Sequence, residues 1–269
     1  MQKVPTMIFE GKKFAEEKEE ELKEKIKKLS SKPKLVSILV GQDAASVLYT
    51  NLKQKVAKRI GIDFEIINLA VSVTELEIVA IIKNLNKDKN IHGIMVQLPL
   101  PTNLKLKQNH ILNSIEPSKD VDGLIENSPF MPATTKAIIR ILGFAKEKIN
   151  MGEEKVVVVG SKGIVGKSVV KELKNLNYQV IGVDIDTKDL KEKTTKADIL
   201  ISATGKANLI KENMVKDGVV VIDVGSPAGD VDLKAREKAS FVTPVPGGVG
   251  PVTIISLLEN LLEGVGESF

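Results

Sequence analysis

The chain has 269 residues, of which 42% are hydrophobic, enough to bury the core of one large domain or of two ordinary ones. Its 39 basic and 35 acidic residues leave a formal net charge of only +4, and 3% of residues are aromatic, so a nucleic-acid-binding protein is not indicated. Cysteine is absent, which excludes disulfides, thiolate nucleophiles and cysteine-based zinc sites. The two histidines, His92 and His110, have no carboxylates grouped around them as a metal cage, so no metal site is predicted.

The N-terminus has no apolar stretch of signal-peptide length, and no window approaches the roughly 18 apolar residues that span a bilayer. The sequence therefore predicts a cytoplasmic protein.

Strands and helices are predicted to alternate along the first 120 residues. Residues 12–29 are highly charged, with apolar residues near helical spacing, which predicts a solvated amphipathic helix. Apolar runs that end in turn residues then predict buried parallel strands, because helical stretches separate them. The predicted strands are 35–40, 64–69 and 93–98, and the helices between them are 46–60 and 74–86.

A second alternating series begins at Lys155. Its predicted strands are 156–159, 180–184, 199–203, 219–224 and 241–243. Residues 134–149 predict a connecting helix, and residues 251–262 predict a closing helix with Pro251 in its first turn.

These elements predict an α/β fold of two lobes with a cleft between them, where open parallel sheets bind ligands at the carboxyl ends of their strands. The N-terminal α/β substrate domain is expected to comprise residues 1–140. A Rossmann-like dinucleotide-binding domain is expected at 141–251.

The segment KVVVVGSKGIVG predicts a strand, a glycine turn and a helix. Ser161 stands where a GxGxxG pattern has glycine, and Lys162 follows it. Gly160 can still make the tight turn, Gly163 lets the backbone approach a pyrophosphate, and Gly166 permits close helix packing. The helix N-terminus suits an anion. A glycine triplet alone has an equally ordinary structural explanation.

The context of the turn favours dinucleotide binding. Asp184 ends the next strand, about 20 residues beyond Gly163, where a carboxylate can accept a hydrogen bond from a ribose 2′-hydroxyl. Thr204, Gly225 and Ser226 follow the third and fourth strands of this series, and small residues at strand ends let a flat cofactor ring lie against the backbone.

Tyr49 and Lys53 are predicted to share one face of the helix at 46–60, with Ser46 one turn earlier. By itself such a pair is more often an ordinary surface pair. A separate apolar stripe is predicted for Leu48, Leu52, Val56 and Ile60.

Three further segments contain candidate binding residues. Gln97 ends the strand GIMVQL, where an amide faces either a cleft or a hydrogen-bonded partner in the core. Asp120 and Asp122, spaced by two in a segment predicted to be extended, face the same way and can bind a ring with several N–H donors, although one of them can simply cap a turn. The segment TPVPGGVGPVT, from Thr243 to Thr253, predicts a shaped loop.

Together, the segments VGQDAASVLYTNLKQK, IMVQLPLP, SKDVDG, GSKGIVG, VIDVG and TPVPGGVGPVT resemble the bifunctional methylenetetrahydrofolate dehydrogenase/methenyltetrahydrofolate cyclohydrolase family, in the right order and over essentially the whole chain. The resemblance implies oxidation of 5,10-methylenetetrahydrofolate with NAD(P), hydrolysis of the 5,10-methenyl product to 10-formyltetrahydrofolate, and a homodimer. It also implies that the folate-binding domain at 1–140 is completed by a C-terminal helix at 252–269. It also implies a place in one-carbon metabolism and purine biosynthesis.

Carried over by position, Lys53 is similar to the catalytic lysine of the family, Tyr49 to its folate-stacking tyrosine and Gln97 to the glutamine that positions the lysine. Asp122 is similar to the pterin-binding aspartate, and Asp120 occupies the neighbouring position. The remaining substrate contacts are expected at Ser46, Pro246, Gly247 and Gly248. A desolvated lysine of lowered pKa can assist the water addition and proton transfer of the hydrolysis.

The chain departs from the family pattern around its glycine turn. Ser161 and Lys162 replace Arg-Ser, and the missing arginine is the one associated with an adenosine 2′-phosphate. Asp184 would repel that phosphate, whereas Lys162 can compensate. NADP is the family expectation, while these residues favour NAD.

Two other departures are Ser168, which replaces a proline, and PATTKA at 132–137, where Pro-Cys-Thr-Pro-x-Gly is usual. The second is expected to alter the connecting helix without touching the chemistry.

Three alternatives stay open. The chain can be mainly a cyclohydrolase with weak dehydrogenase activity, because the departures lie in or near the cofactor lobe. It can be an oxidoreductase similar to shikimate dehydrogenase, although such an enzyme would not need VQLPLP and PGGVGP together. It can also be a folate-binding protein without turnover, against which the presence of Tyr49, Lys53 and Gln97 argues.

Overall fold

The computed structural model describes residues 6–149 and 154–266. In these residues all strand pairs are parallel, as predicted, and they form two sheets. The strands are β1 (Met7–Ile8), β2 (Lys34–Val40), β3 (Asp63–Leu69), β4 (Gly93–Val96), β5 (Lys155–Val159), β6 (Gln179–Val183), β7 (Ile199–Ser202), β8 (Val220–Asp223) and β9 (Phe241–Val242). The α-helices are α1 (Gly11–Ile26), α2 (Ala44–Ile60), α3 (Glu75–Lys87), α4 (Gln108–Leu112), α5 (Ala133–Lys148), α6 (Ile164–Asn175), α7 (Leu190–Thr195), α8 (Leu233–Arg236) and α9 (Val249–Gly264). Within the same ranges, no helix is both long and apolar enough to cross a membrane.

The chain forms two compact units. The first unit contains Glu16–Ala133 and the described residues from Ile254 onward, and the second contains the described residues up to Ala15 together with Thr134–Thr253. The boundaries therefore fall inside α1, α5 and α9.

This division differs from the predicted domains at two places. Residues 134–140, predicted to lie in the first domain, belong to the second unit. Residues 6–15 belong to it as well. The N-terminal residues belong there because β1 pairs with β9, with Met7 opposite Phe241, and Phe9 packs against Phe14, Phe144 and Phe241. A strand of two residues has no periodicity from which this pairing could be predicted. Residues 1–5 and 267–269 of the predicted domains lie outside the described residues.

The sheet of the first unit has the order β3-β2-β4. The central strand β2 is buried along nearly its whole length, as expected for a strand covered on both faces. α2 begins where the Asp43 side chain accepts a hydrogen bond from the Ser46 N–H, and it ends at Gly61, which has a left-handed backbone with φ 103°. These local signals place α2 directly after the carboxyl end of β2.

The sheet of the second unit has the order β1-β9-β8-β7-β5-β6. The predicted Rossmann-like series is confirmed: β5, the glycine turn and α6 follow one another, and β6 and β7 flank β5. α9 starts in this unit, with Pro251 in its first turn as predicted, and continues into the first unit, where every residue from Ile254 to Leu262 is buried. Ser256, Glu259 and Asn260 are buried among its apolar residues, so this part of α9 is enclosed on all sides.

Candidate active site

The buried face of α2 is polar toward its N-terminal end. Its buried residues are Ser46, Thr50, Lys53, Ala57 and Ile60. Of the predicted apolar stripe, Leu48 and Leu52 are 63% and 43% exposed, whereas Ile60 is buried. Polar side chains replace the leucines on the buried face because hydrogen-bond partners on the neighbouring strand end compensate for their loss of water.

Lys53 lies at the centre of this polar cluster and is only 4% exposed. Its Nζ donates a hydrogen bond to Gln97 Oε1 at 3.0 Å and lies 3.8 Å from Met95 Sδ. The same Nζ is 4.6 Å from the centre of the Tyr49 ring, so the predicted shared face of Tyr49 and Lys53 is confirmed. The ammonium group thus has a polar acceptor and an aromatic ring as its neighbours.

Gln97 is held in one orientation by two further hydrogen bonds. Its Nε2 donates to the carbonyl oxygen of Leu98 at 2.7 Å, and Thr50 Oγ1 donates to its Oε1 at 3.3 Å. Thr50 and Met95 were missed by the sequence reasoning. Their spacing is a usable signal, because Thr50 precedes Lys53 by three on the helix and Met95 precedes Gln97 by two on the strand.

Burial sets the protonation of this cluster. It lowers the pKa of Lys53 from its ordinary value of 10.5 to about 8, and the Asp122 carboxylate acts in the opposite direction. Burial likewise raises the pKa of Asp122, while Lys53 lowers it. The two groups are therefore an interacting acid–base pair, and a substantial fraction of the amine can be neutral close to physiological pH.

Asp120 and Asp122 lie in a turn and not in the predicted extended segment, since the Gly123 N–H bonds to the Asp120 carbonyl and Gly123 has φ 71°. The two carboxylates consequently have different surroundings. Asp120 is 1% exposed and its Oδ2 accepts the Ile125 N–H at 3.0 Å, whereas Asp122 is partly exposed. Burial raises the pKa of Asp120 to about 6. Asp120 shapes the turn, and Asp122 is the member of the pair that interacts with Lys53.

The glycine turn of the second unit has the predicted conformational features. Gly160 has φ 90°, and a Cβ there would lie 2.5 Å from the Ala203 carbonyl oxygen. A Cβ on Gly166 would lie 2.1 Å from the Gly160 carbonyl oxygen, which confirms that this glycine permits close helix packing. Gly163, in contrast, is exposed and immediately precedes α6, and a Cβ there would lie 3.3 Å from the Gly160 carbonyl oxygen.

Asp184 is bound to the glycine turn itself. Its Oδ2 accepts the Ser161 hydroxyl at 2.8 Å and its Oδ1 accepts the Lys162 N–H at 3.2 Å. Gly182 makes this contact possible, since a Cβ there would lie 2.8 Å from the Ser161 Cβ. The Lys162 ammonium pairs with Asp186 at 3.0 Å, and both side chains are exposed. Sequence reasoning missed Gly182 and Asp186, although both lie two residues from Asp184.

Thr204 and Gly225 lie in the loops that follow β7 and β8, as predicted, and Ser226 is exposed beside them. Thr204 is tied to Asp230, whose Oδ2 accepts its N–H at 2.7 Å and its hydroxyl at 2.8 Å. The N–H of Gly225 donates to Asp223 Oδ1 at 2.9 Å. Asp230 was missed by the sequence reasoning, because it lies in an irregular loop without periodic pattern.

Pro246, Gly247 and Gly248 form the loop between β9 and α9, and they lie in the second unit. Gly247 has φ 100°, which favours glycine, and a Cβ on Gly248 would lie 2.5 Å from the Pro244 carbonyl oxygen. The conformation of the loop therefore already explains why glycine stands at these two positions, and their predicted contact with substrate stays a prediction.

Comparison with known proteins agrees with this arrangement. Residues 9–122 match the family "Tetrahydrofolate dehydrogenase/cyclohydrolase, catalytic domain", and residues 132–269 match "Tetrahydrofolate dehydrogenase/cyclohydrolase, NAD(P)-binding domain". The bifunctional protein FolD of Bacillus subtilis is 42% identical over 276 residues, covering 95% of this chain and 96% of that protein.

Two solved structures are similar over almost their whole length. The bifunctional FolD methylenetetrahydrofolate dehydrogenase/cyclohydrolase of Campylobacter jejuni has a TM-score of 0.88 and 38% identity, covering 96% of this chain and 98% of that one. The Trypanosoma brucei FolD enzyme, solved with NADP and an inhibitor, has a TM-score of 0.88 and 30% identity, with 97% of each chain covered. Because both family domains match in order and the similarity extends over nearly the entire sequence, the chain belongs to the tetrahydrofolate dehydrogenase/cyclohydrolase family.

Proposed function

We propose that the buried amine of Lys53 carries out the proton transfer of a two-step folate reaction in this bifunctional enzyme. In the first step 5,10-methylenetetrahydrofolate loses a hydride and becomes the 5,10-methenyl cation. In the second step water adds to the cationic carbon, a proton is released, and one carbon–nitrogen bond breaks to leave 10-formyltetrahydrofolate. The shikimate-dehydrogenase-like alternative does not agree with the family match.

The observation that carries the proposal is the environment of Lys53. A neutral amine is needed to take a proton from the attacking water, and a pKa of about 8 supplies it near physiological pH. The hydrogen bond from Nζ to Gln97 Oε1 aims the amine, so Gln97 is proposed as its positioning residue. Tyr49 supplies an aromatic ring whose centre is 4.6 Å from that nitrogen, where a flat pterin can stack.

The Asp122 carboxylate is proposed to bind the pterin by accepting hydrogen bonds from the N–H groups of the ring. It is partly exposed and has a raised pKa, while Asp120 is closed off by its bond to the Ile125 backbone. Ser46 is buried and bonded to Asp43, so its proposed contribution is to hold the start of α2 in place.

The second unit fits a nicotinamide dinucleotide. Gly160, Gly163 and Gly166 keep side chains away from the start of α6, whose free N–H groups suit a pyrophosphate. When bound, the nicotinamide accepts the hydride from the one-carbon bridge. The chain's own contribution there is to bind and orient, because no side chain has to exchange a proton in that step.

We further propose that NAD is preferred over NADP. The Asp184 carboxylate is fixed beside the glycine turn by Ser161 and Lys162, at the strand end where dinucleotide folds read the adenosine ribose. The Lys162 ammonium is already paired with Asp186. Together, Lys162, Asp184 and Asp186 therefore carry one net negative charge. That charge repels a 2′-phosphate, although the T. brucei relative was solved with NADP.

The activity test is absorbance-monitored oxidation of 5,10-methylenetetrahydrofolate with NAD and NADP separately, together with hydrolysis of added 5,10-methenyltetrahydrofolate. Both activities are expected, with the higher kcat/KM for NAD. Absence of dehydrogenase activity with either cofactor, in a protein that still hydrolyses the methenyl compound, would support the mainly-cyclohydrolase alternative.

Cofactor choice is tested with Asp184→Ser and Lys162→Ala. Removing the carboxylate is expected to shift the ratio of the NAD and NADP dissociation constants toward NADP by about tenfold, or about 1.4 kcal/mol. Lys162→Ala is expected to change both constants by less than about threefold, because an exposed ion pair contributes little. Equal effects of Asp184→Ser on both dinucleotides would contradict a ribose-reading role.

A homodimer is proposed through the edge strand β6. In the described part of the chain β6 pairs only with β5, and Ile181 on it is exposed. Unpaired strand edges favour pairing with another copy. Light scattering after size exclusion is expected to give the mass of a dimer for the wild type and a lower mass for Ile181→Lys. The cytoplasmic location and the role in purine biosynthesis stay predictions.

A further inference from the structure

Two aspartates with fully buried side chains lie at the carboxyl edge of the second unit's sheet. Asp223 is the last residue of β8, and Asp230 lies in the loop that follows. A buried carboxylate is unfavourable unless donors surround it, so the partners of these two groups show what they hold in place.

Asp230 is hydrogen-bonded to the residues at the end of β7. Its Oδ2 accepts three hydrogen bonds, from the Ser202 hydroxyl at 2.8 Å, the Thr204 N–H at 2.7 Å and the Thr204 hydroxyl at 2.8 Å. Its Oδ1 accepts none from the described residues and lies where a Cβ on Gly225 would be only 2.7 Å away. Gly225 therefore leaves room for this carboxylate, a reason for glycine that differs from the predicted contact with a cofactor ring.

Asp223 joins the neighbouring strand ends to the same network. Its Oδ1 accepts the N–H groups of Gly225 and Asp230 at 2.9 and 3.0 Å, and its Oδ2 accepts from Arg236 Nη2 at 2.9 Å. Its own N–H donates to the Thr243 hydroxyl at the end of β9, at 2.7 Å. The carboxyl ends of β7 and β8 are thus linked through the two aspartate side chains, and the Thr243 hydroxyl joins the end of β9 to the backbone of β8.

The sheet order places this network on one side of the glycine turn. β7 and β8 lie on one side of β5, and β6, which ends next to Asp184, lies on the other. A dinucleotide with its pyrophosphate at the turn and its adenosine ribose at Asp184 must extend its nicotinamide half toward the ends of β7 and β8.

We propose that Asp230 is a positioning residue for the nicotinamide half of the dinucleotide, because it holds the Thr204 turn by hydrogen bonds and packs against Gly225 without itself reaching the surface. This inference rests on the proposed function. It predicts that Asp230 matters for hydride transfer and not for hydrolysis of the methenyl compound, since the Lys53 cluster belongs to the first unit.

The test compares Asp230→Ala with Asp198→Ala as a matched control. Asp198 precedes the opposite end of β7, where its Oδ2 accepts the Lys155 N–H at 2.7 Å and its Oδ1 pairs with Lys216. Asp230→Ala is expected to raise the dissociation constant for NAD, measured by calorimetry, by about tenfold, which corresponds to about 1.4 kcal/mol. Dehydrogenase kcat/KM should fall at least as far, while methenyl hydrolysis stays within about twofold.

Asp198→Ala should lower Tm and leave the NAD dissociation constant unchanged. Asp230→Asn should restore part of the lost affinity, because its amide oxygen can still accept the Thr204 N–H. If Asp230→Ala does not fold, Ser202→Ala removes one of the three bonds to Asp230 Oδ2 and should raise the same constant by about threefold.

The inference is overturned by unchanged NAD affinity in folded Asp230→Ala or Ser202→Ala protein, or by an equal rise in Asp198→Ala, which would indicate general destabilisation. A wild-type protein that binds no dinucleotide would instead contradict the proposed function.

Discussion

The Lys53 cluster of the first unit and the glycine turn of the second unit differ in which groups are proposed to meet a ligand. In the first unit, reactive side chains project from a helix and a strand end, and burial changes the pKa of Lys53 and Asp122. In the second unit, the groups proposed to meet the ligand are mostly backbone, shaped by Gly160 and Gly166 and held by Asp223 and Asp230. Side-chain changes in the first unit should therefore alter chemistry or folate binding, and changes in the second should alter dinucleotide binding or stability.

The largest expected effect comes from Lys53→Met. Losing the proton-transfer group should slow methenyl hydrolysis by about 100- to 10,000-fold. The dissociation constant for NAD should stay near that of the wild type, which would sharpen the contrast between the two units. Lys55→Met, an exposed lysine on the same helix, is the matched control and should retain activity. Wild-type hydrolysis in Lys53→Met would refute the assignment.

Asp122→Ala is expected to weaken folate binding by about 1.5 to 3 kcal/mol, because a charge-assisted hydrogen bond to the pterin is lost. Calorimetric titration with a folate ligand measures this change, and the NAD dissociation constant should not follow it. The exposed Asp63→Ala is the control. A folate dissociation constant unchanged by Asp122→Ala would make Asp122 a turn residue like Asp120.

The pH dependence of hydrolysis offers a smaller, graded effect. The neutral fraction of the Lys53 amine grows as pH rises, so kcat, corrected for uncatalysed hydrolysis, should increase with an inflection near the pKa of about 8. Because Lys53 and Asp122 interact, the inflection belongs to the pair. A rate that is flat or falling through this range would show that Lys53 does not act as a base.

The same shift predicts a direction for stability. The unfolded chain, with lysine at its ordinary pKa of 10.5, binds more protons than the folded chain between about 8 and 10.5. Lys53 therefore makes the free energy of unfolding rise with pH across that window. In Lys53→Met this contribution should disappear from chemical denaturation curves measured at a series of pH values.

The smallest expected effect joins two departures from the family pattern. Thr135 and Ser168, each at a position where the family resemblance leads us to expect proline, are hydrogen-bonded to one another through their hydroxyls at 2.9 Å. A double-mutant cycle with Thr135→Val and Ser168→Ala should give a coupling of about 0.5 to 1.5 kcal/mol in unfolding free energy. Methenyl hydrolysis should be unaffected in all three variants. Strictly additive effects would mean that the two replacements arose without energetic compensation.

Local patterns were sufficient for much of the fold. The apolar runs predicted β2 to β8 to within a few residues, and Asp43 and Gly61 mark the ends of α2 by capping and left-handed geometry. These patterns were not sufficient where burial depends on a hydrogen-bond partner that is distant in sequence. The apolar stripe of α2 did not show which face is buried, and Thr50 and Lys53 occupy the buried face because Gln97, distant in sequence, accepts their hydrogen bonds.

The sequence by itself determined the order of most strands and helices and the family resemblance, and it singled out Lys53, Gln97 and the glycine turn as candidates, because these depend on short-range patterns and motifs. Only the tertiary structure decided that Asp120 is closed off while Asp122 is not, that β1 belongs to the second unit, and that Asp230 braces Thr204. The physical reason is that burial, pKa and hydrogen-bond partners depend on groups far apart in the chain, which no periodicity within a single element records.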